Sequence, residues 1–411
     1  MVSRNCNKNI IGSINLVDFL LIIIISSALL PMPLYLAFGL FGFLIFRLCG
    51  NIDFSISKLS AQVVAIYSLG LLSTMIFLLL NMDVISDVDV LRVLYRLRKF
   101  SLEFFIGFSV YLIMSGNSYQ RNLNIILWGM CFNIIVGLIQ LSIAPGERVS
   151  MLFFEPSSAA YYFMTFFVFC LFDLKRDIVG KLIAVSFLLS ALLISSKAMY
   201  LVVFLVLVIF VFFRSAIKIK IYSSLVMFLS LILLFSNHDY LFDNVDNYRS
   251  VVLFWDVFKE MGMNGLSIEN GVYGTFVTRL TSIYTAVSLF IYNPQGVGFG
   301  SFGLLYVEVL KETGLINHIS GVEVDLYISG DMVPSPKSKL LEIMLSTGWL
   351  GVIAISNIFI SIFKSNDLQF KMVIISFLLA SLTVELNNFY LYLFVIVAMY
   401  ESKTMRPTCG N

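Results

Sequence analysis

Between two long apolar runs the chain reads ERVSMLFFEPSSAAYY at 147–162, which sets the guanidinium of Arg148 seven positions before the carboxylate of Glu155. Pro156, Ser157 and Ser158 follow at once, and they account for local structure: proline suits the first turn of a helix, and serine hydroxyls satisfy its free N–H groups. They do not account for Glu155, because a carboxylate at membrane depth is costly unless it is paired or faces a wet cavity. Two readings stay open, an Arg148–Glu155 ion pair that closes a loop and a substrate site. A second cation, Arg279, lies about fifteen residues before a Pro/Gly turn in NPQGVGFG. Ile283, Ala286, Val287 and Phe290 recur at helical spacing after it, so 275–290 reads as a helix against the membrane with its cation at one end. Snorkelling to lipid phosphate is the plainer role for that arginine. GVGFG lacks a surrounding βαβ unit, which excludes a Rossmann loop.

The remaining titratable groups are few. His238 and His318 are the only histidines and fall in one polar segment, as surface residues or as bases. Asp239, Asp243 and Asp246, like Glu323, Asp325 and Asp331, read as solvated faces without the ligands to complete a metal cage. Lys337 and Lys339 stand beside a late apolar run with Glu342 a turn inside it, placed to hold an anion or to anchor a helix at the headgroups.

The elements that must position these residues follow from composition. With 59% hydrophobic and 13% charged residues over 411 positions, the chain belongs to the membrane class, and its spans must be helices because lipid satisfies no open backbone group. Apolar runs predict about twelve transmembrane helices, at 12–30, 33–49, 61–80, 101–115, 123–143, 157–172, 178–195, 199–213, 219–236, 341–363, 370–386 and 388–401. The last two share the turn ELNN and read as two helices or one kinked one. The near balance of 27 basic and 25 acidic residues gives no nucleic-acid surface. The five cysteines form neither a disulfide framework nor a zinc site. The first run leads into Pro31-Met32-Pro33 without a small-residue cleavage site, so it reads as a retained span.

Lys175, Arg176, Lys181, Arg214, Lys218, Lys220, Lys364 and Lys371 all fall on one side of this twelve-span arrangement, as do both termini, which makes that side cytoplasmic. Arg92, Arg96, Arg98 and Lys99 fall on the other side; with Val84, Val88, Leu91, Leu94 and Tyr95 at helical spacing they predict a helix lying in the outer interface. The organisation is then a membrane domain over 1–236 with nine spans, a large periplasmic loop with amphipathic helices over 237–340, and a membrane domain with three spans and a cytoplasmic tail over 341–411.

Four features together resemble the O-antigen polymerase (Wzy) family, in the wider group that includes O-antigen ligases. They are R-x6-EPS with small and aromatic residues at 148–162, R-x13-NP-x-GVGFG at 279–300, PSPKSKLLEIMLSTGWLG at 334–351, and the span count with its large loop between the ninth and tenth spans. The resemblance implies an all-α, GT-C-like, metal-independent glycosyltransferase of the bacterial inner membrane with its site on the periplasmic face. Such an enzyme moves a growing glycan from undecaprenyl pyrophosphate to a lipid-linked repeat unit and needs no cofactor. By this resemblance Arg148 and Arg279 grip the pyrophosphate, where preorganised guanidinium groups stabilise the charge of the leaving group. Arg92, Arg96, Lys337 and Lys339 would assist substrate binding, and Glu155 or His318 would take the proton of the acceptor hydroxyl. Its partners would be the carrier-linked oligosaccharide and membrane lipid, with a chain-length regulator left open. Ligases tend to place a His-Asn pair where this chain has Ser335-Pro336-Lys337-Ser338, which favours a polymerase. A lipid-linked oligosaccharide flippase is the alternative from another class, set back by the single large loop and the lack of a repeat.

Overall fold

The computed structural model describes residues 15–27, 56–81, 83, 85–143, 150–153, 156–173, 205–206, 208–209, 213, 271–314, 322–330, 334–383 and 388–404. Among them the regular structure is all helix: α1 (Leu16–Ser26), α2 (Lys58–Leu80), α3 (Asp87–Gly116), α4 (Tyr119–Ile143), α5 (Pro156–Asp173), α6 (Gly271–Tyr292), α7 (Phe302–Glu312), α8 (Val322–Ser329), α9 (Lys339–Phe363), α10 (Leu368–Thr383) and α11 (Phe389–Thr404). Eight of the expected spans have a counterpart here, whereas those at 33–49, 178–195 and 219–236, and nearly all of 199–213, lie outside the described residues. α2, α4 and α9, of 23, 25 and 25 residues, are long and apolar enough to cross a membrane. At a rise of about 1.5 Å per residue each covers at least the ~30 Å hydrocarbon core.

Local chemistry sets the helix starts. The side chain of Asn15 accepts from Asp18 N at 2.9 Å to open α1, and Ser57 accepts from Ser60 N at 3.0 Å to open α2. Ser86 caps α3, whose first turn adds Asp87 and Asp89 at the positive end of the helix dipole. Pro156 is the first residue of α5, as the sequence predicts.

α11 is the centre of the bundle. Every residue from Phe389 to Met399 is buried, the pattern of a helix surrounded by protein on all sides. It lies along α3, where Gly107 lets the backbones approach: a Cβ there would stand 2.9 Å from Leu391 Cα. α5 and α10 are joined by Ser376, whose hydroxyl donates to the Met164 carbonyl, and α1 and α4 by Asn133, which donates to the Ser26 carbonyl at 2.6 Å. α10 and α11 are separate helices, which resolves the ELNN alternative.

Three features differ from the sequence expectation. Residues 87–116 form one continuous helix, so the helix expected around Arg92–Lys99 and the one expected at 101–115 are a single element. No proline or glycine interrupts 87–106, and nothing in that stretch ends a helix. α6 starts at Gly271, and α7 and α8 add two helices that the reading of 237–340 did not separate. α9 is broken at Gly348, which has φ 64° and ψ −162°.

That break explains how the NPQGVGFG turn is held. A helix interrupted at Gly348 releases the carbonyls of Leu345 and Ser346 and the N–H of Trp349, and open groups are costly away from water. The turn takes all three: Val297 N donates to Leu345 O at 3.0 Å, Gly298 N donates to Ser346 O at 3.2 Å, and Trp349 N donates to Pro294 O at 2.9 Å. Phe299 N then donates to Thr74 Oγ1 at 2.7 Å, which ties the turn to α2. The described half of the long segment is therefore docked on the bundle, with Phe299 fully buried in its core. Gly298 has φ 82°, and a Cβ there would stand 2.3 Å from Thr74 Cα. Gly298→Val should therefore destabilise by about 2–5 kcal/mol, from left-handed strain plus overpacking. Thermal unfolding of purified protein in detergent measures it, and an unchanged midpoint would mean the turn is not seated there.

Candidate functional site

The N-terminal ends of α9 and α11 and the middle of α3 meet at one end of the bundle, around a buried cation. Lys339, the first residue of α9, places Nζ 3.1 Å from Glu342 Oε2 and 4.0 Å from Glu103 Oε2. Exposure of these side chains is 3%, 9% and 2% respectively, so the cluster is dry. The pairing follows from helix geometry, since positions three apart on α9 share a face. Glu103 Oε1 accepts from Tyr390 N at 2.7 Å, a carboxylate at the free N–H end of α11, where the helix dipole favours negative charge. Lys339 Nζ also stands 3.8 Å from the Phe100 ring centroid, a contact worth about 2 kcal/mol when desolvated.

An aromatic layer carries this cluster. Phe299 stacks on Phe100 at 4.4 Å between centroids and faces Tyr67 at 5.9 Å, and Tyr67 stacks on Phe104 at 4.0 Å. Tyr390 meets Tyr67, Phe100 and Phe104 edge-on. The glycine-rich turn thus has a side chain beneath the charges, and α2, α3, α9 and α11 each supply a wall.

Of the cations named from sequence, the side chains of Arg92, Arg96, Lys337 and Lys339 are described. Arg96 lies two turns along α3 from Glu103, about 10 Å at ~1.5 Å per residue. It is half-buried, with its Cβ 2.7 Å from where a Cβ on Gly300 would stand, and among the described residues it has no acidic partner. Arg92 is exposed and bonded to Asp89 at 3.1 Å. Lys337 is half-buried with φ 55°, and its Nζ stands 5.8 Å from the Tyr327 ring centroid. Lys339 is neither a headgroup anchor nor an open anion site in this geometry, since its ammonium is enclosed by Glu103, Glu342 and Phe100. Arg279 is on α6. Arg148, Glu155 and His318 lie outside the described residues.

The chain on either side of Glu155 is nevertheless fixed. Gln140 grips Met151 twice, accepting from its N–H and donating to its carbonyl, each at 2.8 Å, and Asn133 Oδ1 accepts from Leu152 N at 3.2 Å. Beyond Pro156, the Tyr161 hydroxyl bonds Ser381 Oγ at 2.8 Å, and Ser338 Oγ donates to the Ser381 carbonyl at 3.2 Å. Through Ser381, the block that holds Arg148 and Glu155 is joined to the block that holds Lys337 and Lys339. The other end of the bundle carries its own polar set: Arg121 bonds Asp18 at 2.8 Å, and Glu401 accepts from Ser57 and, at 2.9 Å, from Tyr111.

Sequence reasoning gave no role to Glu103 or Tyr390. The signal for Glu103 was present: it is a lone carboxylate in the apolar run FSLEFFIGF, the feature that made Glu155 notable. No group of histidine, cysteine or acidic side chains able to hold a metal occurs among the described residues. No protein-family model matches the chain, and no curated protein matches it.

Removing Lys339 leaves two carboxyl groups facing each other in a dry site. Lys339→Met should cost about 3–5 kcal/mol, the usual penalty for breaking a buried pair from one side. Adding Glu103→Gln should restore part of that loss. Thermal midpoints of the two single variants and the double variant form the cycle; strictly additive losses would mean Lys339 and Glu103 do not interact.

Proposed function

We propose that the chain is an O-antigen polymerase: a membrane-embedded, metal-independent glycosyltransferase that transfers a growing glycan from undecaprenyl pyrophosphate to a lipid-linked repeat unit at the periplasmic face. The observation that carries this reading is the joining of the three sequence blocks at one end of the bundle. The GVGFG turn is bonded to the broken helix that follows PSPKSK, and Ser338 of PSPKSK shares Ser381 with Tyr161 of the EPSSAAYY block. The blocks span two hundred residues of sequence, and meeting at one place is what a shared site requires. In this reading Arg279, on the helix leading into the docked turn, and Arg148, just before the segment clamped at Met151, hold the pyrophosphate. Arg96 and Lys337 flank the carrier. Glycosidic bond cleavage places charge on the leaving pyrophosphate, and fixed guanidinium groups in a poorly hydrated site stabilise it without a metal.

Deletion of the gene should leave surface lipid capped with a single repeat unit, whereas loss of a flippase should leave almost none. Gel separation of the lipopolysaccharide distinguishes the two. Returning the gene with Arg148→Ala or Arg279→Ala should fail to restore the chain-length ladder at normal protein level. Arg148→Lys should also be impaired by at least about tenfold, because lysine keeps the charge and loses the planar fork. Normal ladders from the alanine variants would overturn the proposal.

A further inference from the structure

We infer that the buried Glu103–Lys339–Glu342 cluster is the proton-accepting site of the reaction, with Glu342 as the carboxylate that receives the acceptor hydroxyl's proton. This rests on the polymerase reading above and names the base within it, in place of Glu155 and His318.

Three observations carry it. First, the cluster sets two carboxyl groups against one ammonium, with side-chain exposures of 2%, 9% and 3% for Glu103, Glu342 and Lys339. A dry site does not hold an unbalanced negative charge cheaply, and the single ammonium offsets only one of the two carboxylates. A group of this kind can take up and release a proton with little rearrangement. Second, the two carboxyls are not equivalent. Glu103 has one oxygen on Tyr390 N and the other toward Lys339, whereas Glu342 has Oε2 on Lys339 and is the more exposed of the two. Glu342 is thus the less enclosed of the two, one turn inside the helix that follows Lys337 and Ser338. Third, the Tyr390 hydroxyl is buried at this place and has no hydrogen-bond partner among the described residues. Its ring stands edge-on to Phe100, the ring that carries the Lys339 ammonium. Buried hydroxyl groups ordinarily have a partner, and a bridging water supplies one.

The acceptor oxygen forms a bond to the anomeric carbon of the donor glycan while the bond from that carbon to the pyrophosphate oxygen breaks, and its electron pair leaves with the pyrophosphate. The proton of the acceptor hydroxyl moves to Glu342. The cluster gains one positive charge as the leaving group gains one negative charge nearby, and the two offset each other. Lys339 then favours release of that proton and resets the site. The titratable groups packed around Glu342 are Glu103 from α3, Lys339 from α9, Tyr390 from α11 and, by way of Tyr390, Tyr67 from α2.

The test is steady-state polymerisation by the full chain in nanodiscs, with synthetic undecaprenyl-pyrophosphate-linked repeat units, across pH 5 to 9. Wild type is compared with Glu342→Gln, Glu342→Asp, Glu103→Gln and Glu155→Gln. Glu342→Gln should lower kcat at least about 100-fold with KM within about threefold, and its residual rate should lose the acidic limb of the wild-type pH profile. Glu342→Asp should keep measurable turnover with that limb displaced, which gives a reading even if the glutamine variant folds poorly. Glu103→Gln should displace the limb while leaving the protein active. Undiminished kcat and an unchanged limb in folded Glu342→Gln or Glu342→Asp would overturn the inference while leaving the polymerase reading intact. Loss of the limb in Glu155→Gln alone would do the same. Wild-type protein that makes no polymer would overturn the polymerase reading itself, and this inference with it.

Discussion

A single ammonium group in a dry place constrains this fold. Helices in lipid gain little from apolar contact with one another, since the surrounding tails are equally apolar, so polar contacts and close packing decide which helices meet and in what register. Lys339 meets both conditions at once. Its charge is tolerated only because Glu342, Glu103 and the face of Phe100 surround it, and those partners come from α9 and α3. Glu103 adds α11 by accepting from Tyr390 N. One slip of a turn in α3 or α9 would part Glu103 from Lys339 and leave a charge unpaired at a cost of several kcal/mol. Gly107, where α3 and α11 approach backbone to backbone, then fills in the seam that the charges have aligned.

A second constraint comes from the backbone. Non-helical chain at membrane depth survives only where protein satisfies it. The break at Gly348 and the NPQGVGFG turn are each unstable alone in that sense, and each supplies what the other lacks through three main-chain hydrogen bonds. Phe299 enters the core at the same junction and lies under Phe100, so the seat of the turn and the seat of the charge are one structure. The helix that carries Arg279 leads directly into this junction, which relates its position to the buried cluster without any contact between the side chains being needed.

Much of this was legible in the sequence because it depends on local pattern. Apolar runs locate α1, α2, α4, α5, α9, α10 and α11 to within a few residues, and Pro156 marks the start of α5. What local pattern does not encode is pairing across the chain. Glu103 looks like an isolated anomaly until Lys339, more than two hundred residues later, is placed beside it. The cations Arg92 to Lys99 suggested an interfacial helix because charge and apolar residues alternate there at helical spacing. That periodicity is the same whether the helix lies flat or continues into a span, and only the packing of α3 along α11 separates the two. Gly348 carries no signal of a break, since STGWLG in an apolar run also suits a continuous helix; the break is fixed by the turn that docks against it.

The two ends of the α3–α11 seam are chemically distinct, and this bears on where chemistry belongs. At one end Glu103 has an ammonium beside it; at the other Glu401 is held by the hydroxyls of Ser57 and Tyr111. Glu103 and Tyr111 are eight positions apart on α3, about 12 Å of helix. That interval is filled by Phe104, Gly107 and Phe108 against Leu391 and Phe394. Close-packed apolar side chains of this kind offer no polar stepping stones between the two polar sets. Charge developed at the Lys339 end must therefore be balanced and released at that end.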